Sequence, residues 1–260
     1  MDTLIVDRRD GVVTVTMNRP ERKNAINGVM LTELRTIFEE VEDTDADRCM
    51  VLTGAGGAFC SGADLSDPNG PASDPTRSGL ARMRRLGDVA LALHHITKPT
   101  IAKVDGFAVG AGLSLALGCD LVVCSDRAKL SMIFSRRGLA LDNGASWLLP
   151  RLVGMARAKE IALFGGMWSG EEALAIGLIN RVLPLDEIDA FVDDWAATLA
   201  GGPPLALSMT KTLLHASWNA TMEQVVEDEA RCQALNFSTR DTAEAMAAFA
   251  EKREPNFTGR

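Results

Sequence analysis

The chain has 260 residues, of which 47% are hydrophobic and 24% are charged, so it is long enough to bury the core of one large globular domain. Its 35 acidic and 27 basic side chains give a net charge of −8, which argues against non-specific nucleic-acid binding through a cationic surface. Tyrosine is absent, so no tyrosine hydroxyl is available as a general acid.

The first part of the chain alternates predicted strands with predicted helices. Residues 11–17 alternate and are rich in β-branched side chains, which predicts a strand, and the apolar positions of residues 28–43 have helical spacing. Residues 49–53 form a short apolar run that enters a glycine-rich loop, which is typical of a buried strand. Residues 66–79 are rich in Pro, Gly, Ser and Asp and predict a mobile loop, and residues 80–96 predict a helix.

The same alternation continues to the middle of the chain. Residues 100–104 predict a strand, and residues 106–112 predict a second glycine-rich loop that leads into a helix ending near Gly118. Residues 120–124 predict a further strand, and residues 129–133 a short one.

Helices dominate from about residue 143. Ser169 precedes Glu172 by three positions, which is the pattern of a capping box, and residues 180–183 predict a short strand. Residues 185–251 predict four helical segments, broken near 201–204, 219 and 239. Strands that alternate with helices, followed by helices alone, indicate an α/β core with a helical C-terminal part.

Two segments could be mistaken for targeting or membrane signals. The N-terminal residues carry acidic side chains early and lack the apolar stretch of a secretory signal. Residues 106–124 are almost wholly apolar, but their four glycines and Asp120 favour a buried turn, helix and strand over a membrane helix. We therefore expect a cytoplasmic protein that does not insert into a membrane.

Histidine and cysteine are too few or too dispersed for the usual metal or disulfide frameworks. The three histidines are His94, His95 and His215. The five cysteines, an odd number without C-x-x-C spacing, are Cys49, Cys60, Cys119, Cys124 and Cys232. We expect no metal site and buried, reduced thiols.

Two glycine-rich segments, residues 56–65 and 105–113, each follow a buried strand. Small residues at such places let the backbone approach another group closely, and two backbone N–H groups aimed at one point form an anion site. Such a site could hold a carbonyl oxygen that gains negative charge, although both segments could equally be tight turns required for packing. The second loop lacks the context of a dinucleotide fingerprint, and no G-K-[ST] of a P-loop follows it.

The ordered set of motifs resembles the crotonase (enoyl-CoA hydratase/isomerase) superfamily over almost the whole chain. The matching segments are Asn18-Arg19-Pro20 with Asn24-Ala25, AFCSGADL at 58–65, KPTIA at 98–102 with Asp105-Gly106, Cys119-Asp120, Gly138-Leu139 with Asp142, LPR at 149–151, GLI at 177–179 and EKREPNF at 251–257. The resemblance implies an α/β spiral of ββα units over residues 1–195. It also implies a helical C-terminal region over residues 196–260 that forms a homotrimer or a dimer of trimers.

The resemblance also implies a binding site for an acyl-CoA thioester, in which coenzyme A is part of the substrate and no further cofactor is needed. The thioester carbonyl would lie between the backbone N–H groups of Ala63 and Ala111, where the family usually has Gly at the second position. Lys252 is expected to reach a CoA phosphate, on the same or a neighbouring subunit. The other expected CoA-binding residues are Arg22, Lys23, Ala25, Ser61, Gly62, Asp64, Leu65 and Gly110. For Arg22 and Lys23, a solvated charged turn is an equal alternative.

The chain departs from the family at the chemistry of hydration. The hydratases of the family use two glutamates to position water and move its protons, and the matching positions here are Ser114 and Phe134. Neither side chain can act as the base or acid that water addition needs. Both are instead expected to line the acyl pocket with Trp147, although a plain core role for these side chains is open.

Asp142 is the remaining acid in the right region. Family members that are not hydratases, including isomerases and a dehalogenase, carry a working Asp at the matching position. A carboxylate on an apolar wall has a raised pKa, which suits proton transfer from and to carbon. The structural alternative is an N-cap of the helix predicted after Gly144.

Other candidates have plainer explanations. Local backbone bonding accounts better for Asp64, and Cys60 has no evident histidine partner that would make it a nucleophile. His94 and His95 are adjacent and so point to different helix faces, which favours a packed or solvated role over a catalytic one. The sequence thus predicts an isomerase of acyl-CoA that shifts a double bond or rearranges a ring acyl group. The alternatives are a hydratase, disfavoured by Ser114 and Phe134, a thioesterase or decarboxylase on the same frame, and a non-catalytic acyl-CoA-binding protein.

Overall fold

The computed structural model describes residues 1–67 and 78–260, which form a mixed α/β fold. The predicted loop at 66–79 lies mainly outside these residues. The strands are β1 (Leu4–Arg9), β2 (Val12–Met17), β3 (Cys49–Gly54), β4 (Thr100–Val104), β5 (Phe107–Val109), β6 (Leu121–Ser125), β7 (Lys129–Ser131), β8 (Trp168–Ser169) and β9 (Arg181–Leu183). The helices are α1 (Gly28–Asp43), α2 (Gly79–His95), α3 (Ala111–Gly118), α4 (Ala145–Phe164), α5 (Gly170–Ala175), α6 (Ile188–Gly201), α7 (Pro204–Ser217), α8 (Met222–Phe237) and α9 (Arg240–Glu251).

The larger sheet has the strand order β1-β2-β3-β4-β6-β9. The β1–β2 pair is antiparallel, and every later pair in this sheet is parallel. Val13, Val15 and Met17 alternate inward along β2, whereas the first five residues of β3 are all buried. That difference is expected because a central parallel strand is covered on both faces.

The smaller sheet has the order β5-β7-β8 and contains strands that the sequence analysis missed. Strand β5 pairs in parallel with β7, and β8 pairs antiparallel with β7. Residues 107–109 lie inside the predicted second glycine loop, so this loop is a short strand followed directly by α3. The missed β1 is an edge strand with charged, exposed positions, which hides the usual alternation.

Helices cover the two faces of the larger sheet. The main core joins the inward side chains of β2 and β3 to those of α1, α2 and α3, and all but the last residue of α3 are buried. A second core on the opposite face is formed where Ile188, Val192 and Ala196 of α6 pack on the sheet. The domain boundary expected after residue 195 falls inside α6, and the division into two regions stays a prediction.

The C-terminal helices match the predicted segments, and the breaks near 201–204, 219 and 239 are confirmed. The capping box of Ser169 and Glu172 is confirmed as well. Helices α7 and α8 contain no buried residue in the single chain. Large apolar side chains, including Trp218, Met222 and Phe237, are exposed on this part of the surface.

Within the described ranges, no helix is both long and apolar enough to cross a membrane. The apolar run at 106–124 is divided between β5, α3 and β6, as its glycines and Asp120 predicted.

Candidate active site

The two glycine loops lie side by side. Cys60 forms a parallel β-bridge with Ala108, in which the Cys60 N–H donates to the Phe107 carbonyl at 2.8 Å and the Val109 N–H donates to the Cys60 carbonyl at 2.9 Å. Ala63 and Ala111 each lie three residues beyond this bridge. The pairing therefore brings the two predicted N–H donors to the same end of the two loops.

Glycines make this close approach possible. A Cβ on Gly112 would lie 2.3 Å from the Cys60 carbonyl oxygen, which no side chain could tolerate. Gly62 has φ +98°, and a Cβ there would lie 2.9 Å from the Val109 carbonyl oxygen and 3.8 Å from the Ala111 nitrogen. The space beside Ala111 N–H is thus kept open by the absence of a side chain on Gly62.

The N–H groups of Ala63 and Ala111 are available to a ligand. Neither donates a hydrogen bond to another protein group among the residues that the structure describes. Ala111 is the first residue of α3, and its N-cap Gly110 has φ 55°. Free N–H groups at a helix N-terminus favour negative charge, so the pair can stabilise an oxyanion.

The carboxylate of Asp142, the predicted acid–base residue, lies in a perturbed environment. Its Oδ1 is shielded from solvent and accepts no hydrogen bond in the described part of the chain. Burial away from water raises the pKa of Asp142 from 3.8 to about 6. The helix-cap alternative is excluded, because the N-cap of α4 is Gly144 and no side chain caps it.

The two positions where the family's hydratases have glutamate are occupied by side chains engaged in packing. The Ser114 hydroxyl donates to the Gly110 carbonyl at 3.2 Å within the first turn of α3, and Ser114 is 1% exposed. Phe134 is buried, and its ring lies 3.8 Å from the position that a Cβ on Gly110 would take. Neither side chain offers a group that could activate water.

A cavity of about 390 Å³ lies between α2, α3 and α4. Its walls include Ser114 and Trp147, two of the three residues predicted for the acyl pocket. Phe134, the third, is not among the lining residues; it lies over Gly110 instead. The residues that line the cavity are Gly87, Ala90, Leu91, Leu93, His94, Ser114, Leu115, Gly118, Asn143, Gly144, Trp147 and Leu148.

The segment predicted to bind the CoA moiety is joined to the first glycine loop. Ser61 N–H donates to the Lys23 carbonyl at 3.0 Å, and the Ser61 hydroxyl donates to the Arg22 carbonyl at 3.2 Å. The side chains of Arg22 and Lys23 are exposed, and the Lys23 ammonium lies 4.5 Å from the centre of the Phe107 ring. Two exposed cations thus lie beside the loop that carries Ala63, which is compatible both with the predicted CoA contacts and with a solvated charged turn.

Asp64 ties this region together. Its carboxylate accepts from the Ser66 hydroxyl at 2.7 Å and pairs with the Arg19 guanidinium at 3.0 Å, and these contacts lower the pKa of Asp64. Arg19 also reaches the carbonyl of the buried Ala25. The Asp64 carboxylate is therefore engaged in hydrogen bonds and an ion pair within the protein, in agreement with the plainer explanation given for it.

Two predicted CoA contacts lie at the surface. The Leu65 side chain is 72% exposed. Lys252 terminates α9 in a left-handed conformation with φ 55° and is exposed. Their roles toward CoA stay predictions.

Sequence reasoning missed polar residues around the cavity. His94 lines it, with its ring stacked 4.6 Å from that of His215 and edge-on to Trp147 at 5.4 Å. Asn143 was passed over although it adjoins Asp142, and Arg151 lies 4.0 Å over the Trp147 ring. These residues belong to α2, α4 and α7 or to the segment just before α4, and no local sequence pattern predicts that these helices meet here.

The cysteines show no sign of reactivity in the site. Burial raises the pKa of the Cys60 thiol beside the first loop to about 12, so it remains protonated at neutral pH. No cluster of three His, Cys, Asp or Glu side chains that could hold a metal occurs in the described ranges.

Comparison with known proteins assigns the family. The family model for enoyl-CoA hydratase/isomerase matches residues 7–260. The chain belongs to the enoyl-CoA hydratase/isomerase family. Among relatives in this family, the 1,2-epoxyphenylacetyl-CoA isomerase of Escherichia coli (strain K12) is 38% identical over 264 residues, which cover 100% of both chains. The 4-chlorobenzoyl coenzyme A dehalogenase-1 of Arthrobacter sp is 34% identical over 248 residues, which cover 95% of this chain and 90% of the relative.

A solved structure of the same family confirms the fold. The enoyl-CoA hydratase from Bacillus anthracis matches with a TM-score of 0.94 at 27% identity, covering 99% of this chain and 100% of that one. The crotonase-type α/β fold and the family resemblance are thereby confirmed. The protein is an acyl-CoA enzyme of the enoyl-CoA hydratase/isomerase family, in which these three relatives are named for three different reactions.

Proposed function

We propose that this enzyme is an acyl-CoA isomerase that shifts a double bond, or rearranges a ring acyl group, with Asp142 as its acid–base residue. The observation that carries the proposal is the Asp142 carboxylate, partly buried and with Oδ1 unpartnered among the described residues. Its pKa of about 6 lets it accept a proton from carbon and return it near neutral pH.

The proposed reaction needs one base and two N–H donors. Asp142 removes a proton from a carbon next to the thioester or its double bond, and the electron pair of that C–H bond moves into the conjugated system. The developing negative charge resides on the thioester oxygen, between the N–H groups of Ala63 and Ala111. Asp142 then returns the proton to another carbon, so the product is an isomer and no water is consumed.

Two observations disfavour hydration. Ser114 and Phe134 replace the glutamates of the family's hydratases, and each is engaged in packing. The relative from Escherichia coli named as an isomerase supports the proposal, as does its coverage of the complete chain.

The test is the variant Asp142→Asn, which keeps the shape of the side chain and removes its proton transfer. We expect turnover to fall by about 10²–10⁴-fold, the usual contribution of a general acid–base group, with unchanged binding of an acyl-CoA. The substrates to assay are 3-enoyl-CoA thioesters and ring 1,2-epoxyphenylacetyl-CoA. The matched control is Asp126→Asn, at an exposed site, which should retain full activity.

Three outcomes would contradict the proposal. Unchanged turnover in Asp142→Asn would remove Asp142 from the mechanism. Efficient hydration of crotonyl-CoA by the wild-type protein would favour the hydratase. Tight acyl-CoA binding without turnover on a broad substrate panel would favour a non-catalytic binding protein.

The proposal includes a homotrimer or a dimer of trimers. Trp218, Met222 and Phe237 are 59%, 74% and 71% exposed in the single chain, which is unusual for side chains of this size. Light scattering should give a mass of three or six times 27.8 kDa. A monomer at micromolar concentration would contradict it. The cytoplasmic location stays a prediction from the sequence.

A further inference from the structure

The cavity between α2, α3 and α4 adjoins both parts of the proposed site. Ser114 lies one helical turn beyond Ala111 on α3, and Asn143 directly follows Asp142. The cavity would therefore begin about one helical turn from a thioester held at Ala111. An apolar cavity of about 150 Å³ is sufficient for benzene, so about 390 Å³ has room for a substituted ring.

The cavity wall is apolar and aromatic with a few polar groups. Leu91, Leu115 and Leu148 supply apolar surface, and the Trp147 ring supplies a flat aromatic wall. Gly87 leaves space in the wall, because a Cβ added there would meet no atom within 4 Å. This composition is typical of a site for a ring-containing ligand that is oriented by few hydrogen bonds.

Asn143 is the most unusual polar residue of this wall. It is 8% exposed, and its Oδ1 is buried with no hydrogen-bond partner among the described residues. An acceptor oxygen left without a partner destabilises the folded protein, so a ligand hydroxyl that donates to Oδ1, once the amide turns toward the cavity, would offset that cost. The backbone of Asn143 has φ 48°, a conformation that Asn tolerates better than most residues.

His94 supplies a second polar group on the same wall. Its ring orientation is fixed by the stacked ring of His215 and the edge of Trp147. Burial and the neighbouring His215 lower the pKa of His94, which favours the neutral imidazole at pH 7. A neutral imidazole can donate one hydrogen bond and accept another.

We propose that this cavity selects a ring acyl group that carries a hydroxyl substituent, with Asn143 and His94 as its specificity-determining residues. The inference rests on the proposed function in so far as it takes an acyl-CoA as ligand. It adds the class of acyl group, because a plain hydrocarbon acyl group would leave the Asn143 amide unpartnered. Sites built to hydrogen-bond a ligand oxygen discriminate strongly against the analogue that lacks it.

The test measures binding of unreactive thioesters by calorimetry on the full chain. The probes are phenylacetyl-CoA and its ortho-, meta- and para-hydroxy derivatives. We expect at least one hydroxylated probe to bind the wild-type protein about 10-fold more tightly than phenylacetyl-CoA. Asn143→Gly removes the amide and still permits φ 48°, and it should abolish that preference.

Three further variants locate the effect. His94→Phe keeps an aromatic ring and should weaken the preference, whereas His95→Phe, on the exposed neighbouring residue, should leave it intact. Gly87→Leu fills the cavity from α2 and should weaken all four ring probes about 10-fold or more without changing the affinity for acetyl-CoA.

Equal binding of all four probes by the wild-type protein would overturn the proposal, as would a preference that survives in Asn143→Gly. Ring binding unchanged in Gly87→Leu would show that the acyl group lies elsewhere. Apart from the aromatic ring, the probes contain no carbon–carbon double bond that the enzyme could shift. Their binding is therefore measured without turnover. A failure of Asp142→Asn to lose activity would therefore be distinguished from a failure of the specificity proposal.

Discussion

The burial of Asp142 makes a quantitative prediction about stability. The carboxyl has a pKa of about 6 in the folded protein, against its ordinary value of 3.8. The folded protein therefore holds this proton more tightly than the unfolded chain does. The resulting stabilisation is fully present below pH 3.8 and is lost as the pH rises through 6, where the folded protein must bury a charge.

The pKa difference gives the magnitude. The interval between 3.8 and about 6 corresponds to about 3 kcal/mol, at about 1.4 kcal/mol per pH unit. Asp142→Asn removes the ionisation, so above pH 7 this cost is absent from the variant. By pH 5 the wild-type protein has already lost roughly half of this stabilisation. The free energy of unfolding of the variant, relative to that of the wild type, should therefore rise by about 1–1.5 kcal/mol between pH 5 and pH 8.

Urea denaturation of both proteins at equal concentration, from pH 5 to pH 8, measures this change. Comparing the pH dependence, rather than one value, cancels the fixed cost of placing an amide where a carboxyl stood. Asp126→Asn, at an exposed position, serves again as the control for replacing a carboxyl group by an amide. A stability gap between Asp142→Asn and the wild type that stays flat across this range would refute the argument that Asp142 is desolvated.

Two further predictions concern activity and packing. The value of kcat/KM should rise with pH through about 6 and then level, because the proposed base must be ionised; a profile without an inflection between pH 5 and pH 7 would contradict the role of Asp142. Gly112→Ala should lower the free energy of unfolding by about 2 kcal/mol or more and reduce turnover, since its Cβ would lie 2.3 Å from the Cys60 carbonyl oxygen. The control is Gly87→Ala, whose Cβ meets no atom within 4 Å, and it should leave stability unchanged or raise it by up to about 1 kcal/mol. Thermal denaturation measures both variants, and equal effects of the two substitutions would contradict the packing argument.

Local patterns predicted much of the fold because local chemistry determines it. The apolar spacing of α1 gave its bounds correctly, and the strands β3 and β4 were recognisable as short buried runs. Strand β5 was missed because three residues between glycines carry too little pattern, and its partner β7 is remote in sequence. Short strands of this kind are specified by tertiary pairing rather than by local preference.

The candidate site was predictable to a different degree for each component. Matching motifs indicated Ala63, Ala111 and Asp142, but no local pattern could show that the Asp142 Oδ1 is buried without a partner. The polar wall of the cavity was not predictable. His94 and His215 lie 121 positions apart in the chain, and they meet only because α2 and α7 do.

The replacements at positions 114 and 134 have a further consequence for the proposed chemistry. The Ser114 hydroxyl is directed to its own helix, and the Phe134 ring packs over Gly110, so the two former carboxylate positions add apolar bulk or an already satisfied hydroxyl. Apolar bulk beside the two N–H donors would strengthen their electrostatic interaction with a developing enolate. Burial of Asp142 raises the pKa of its carboxyl to about 6, and this is what a proton-transfer residue needs. With no carboxylate at position 114 or 134 to activate water, and with Asp142 able to exchange a proton near neutral pH, the proposed site favours moving a proton between carbons over adding water.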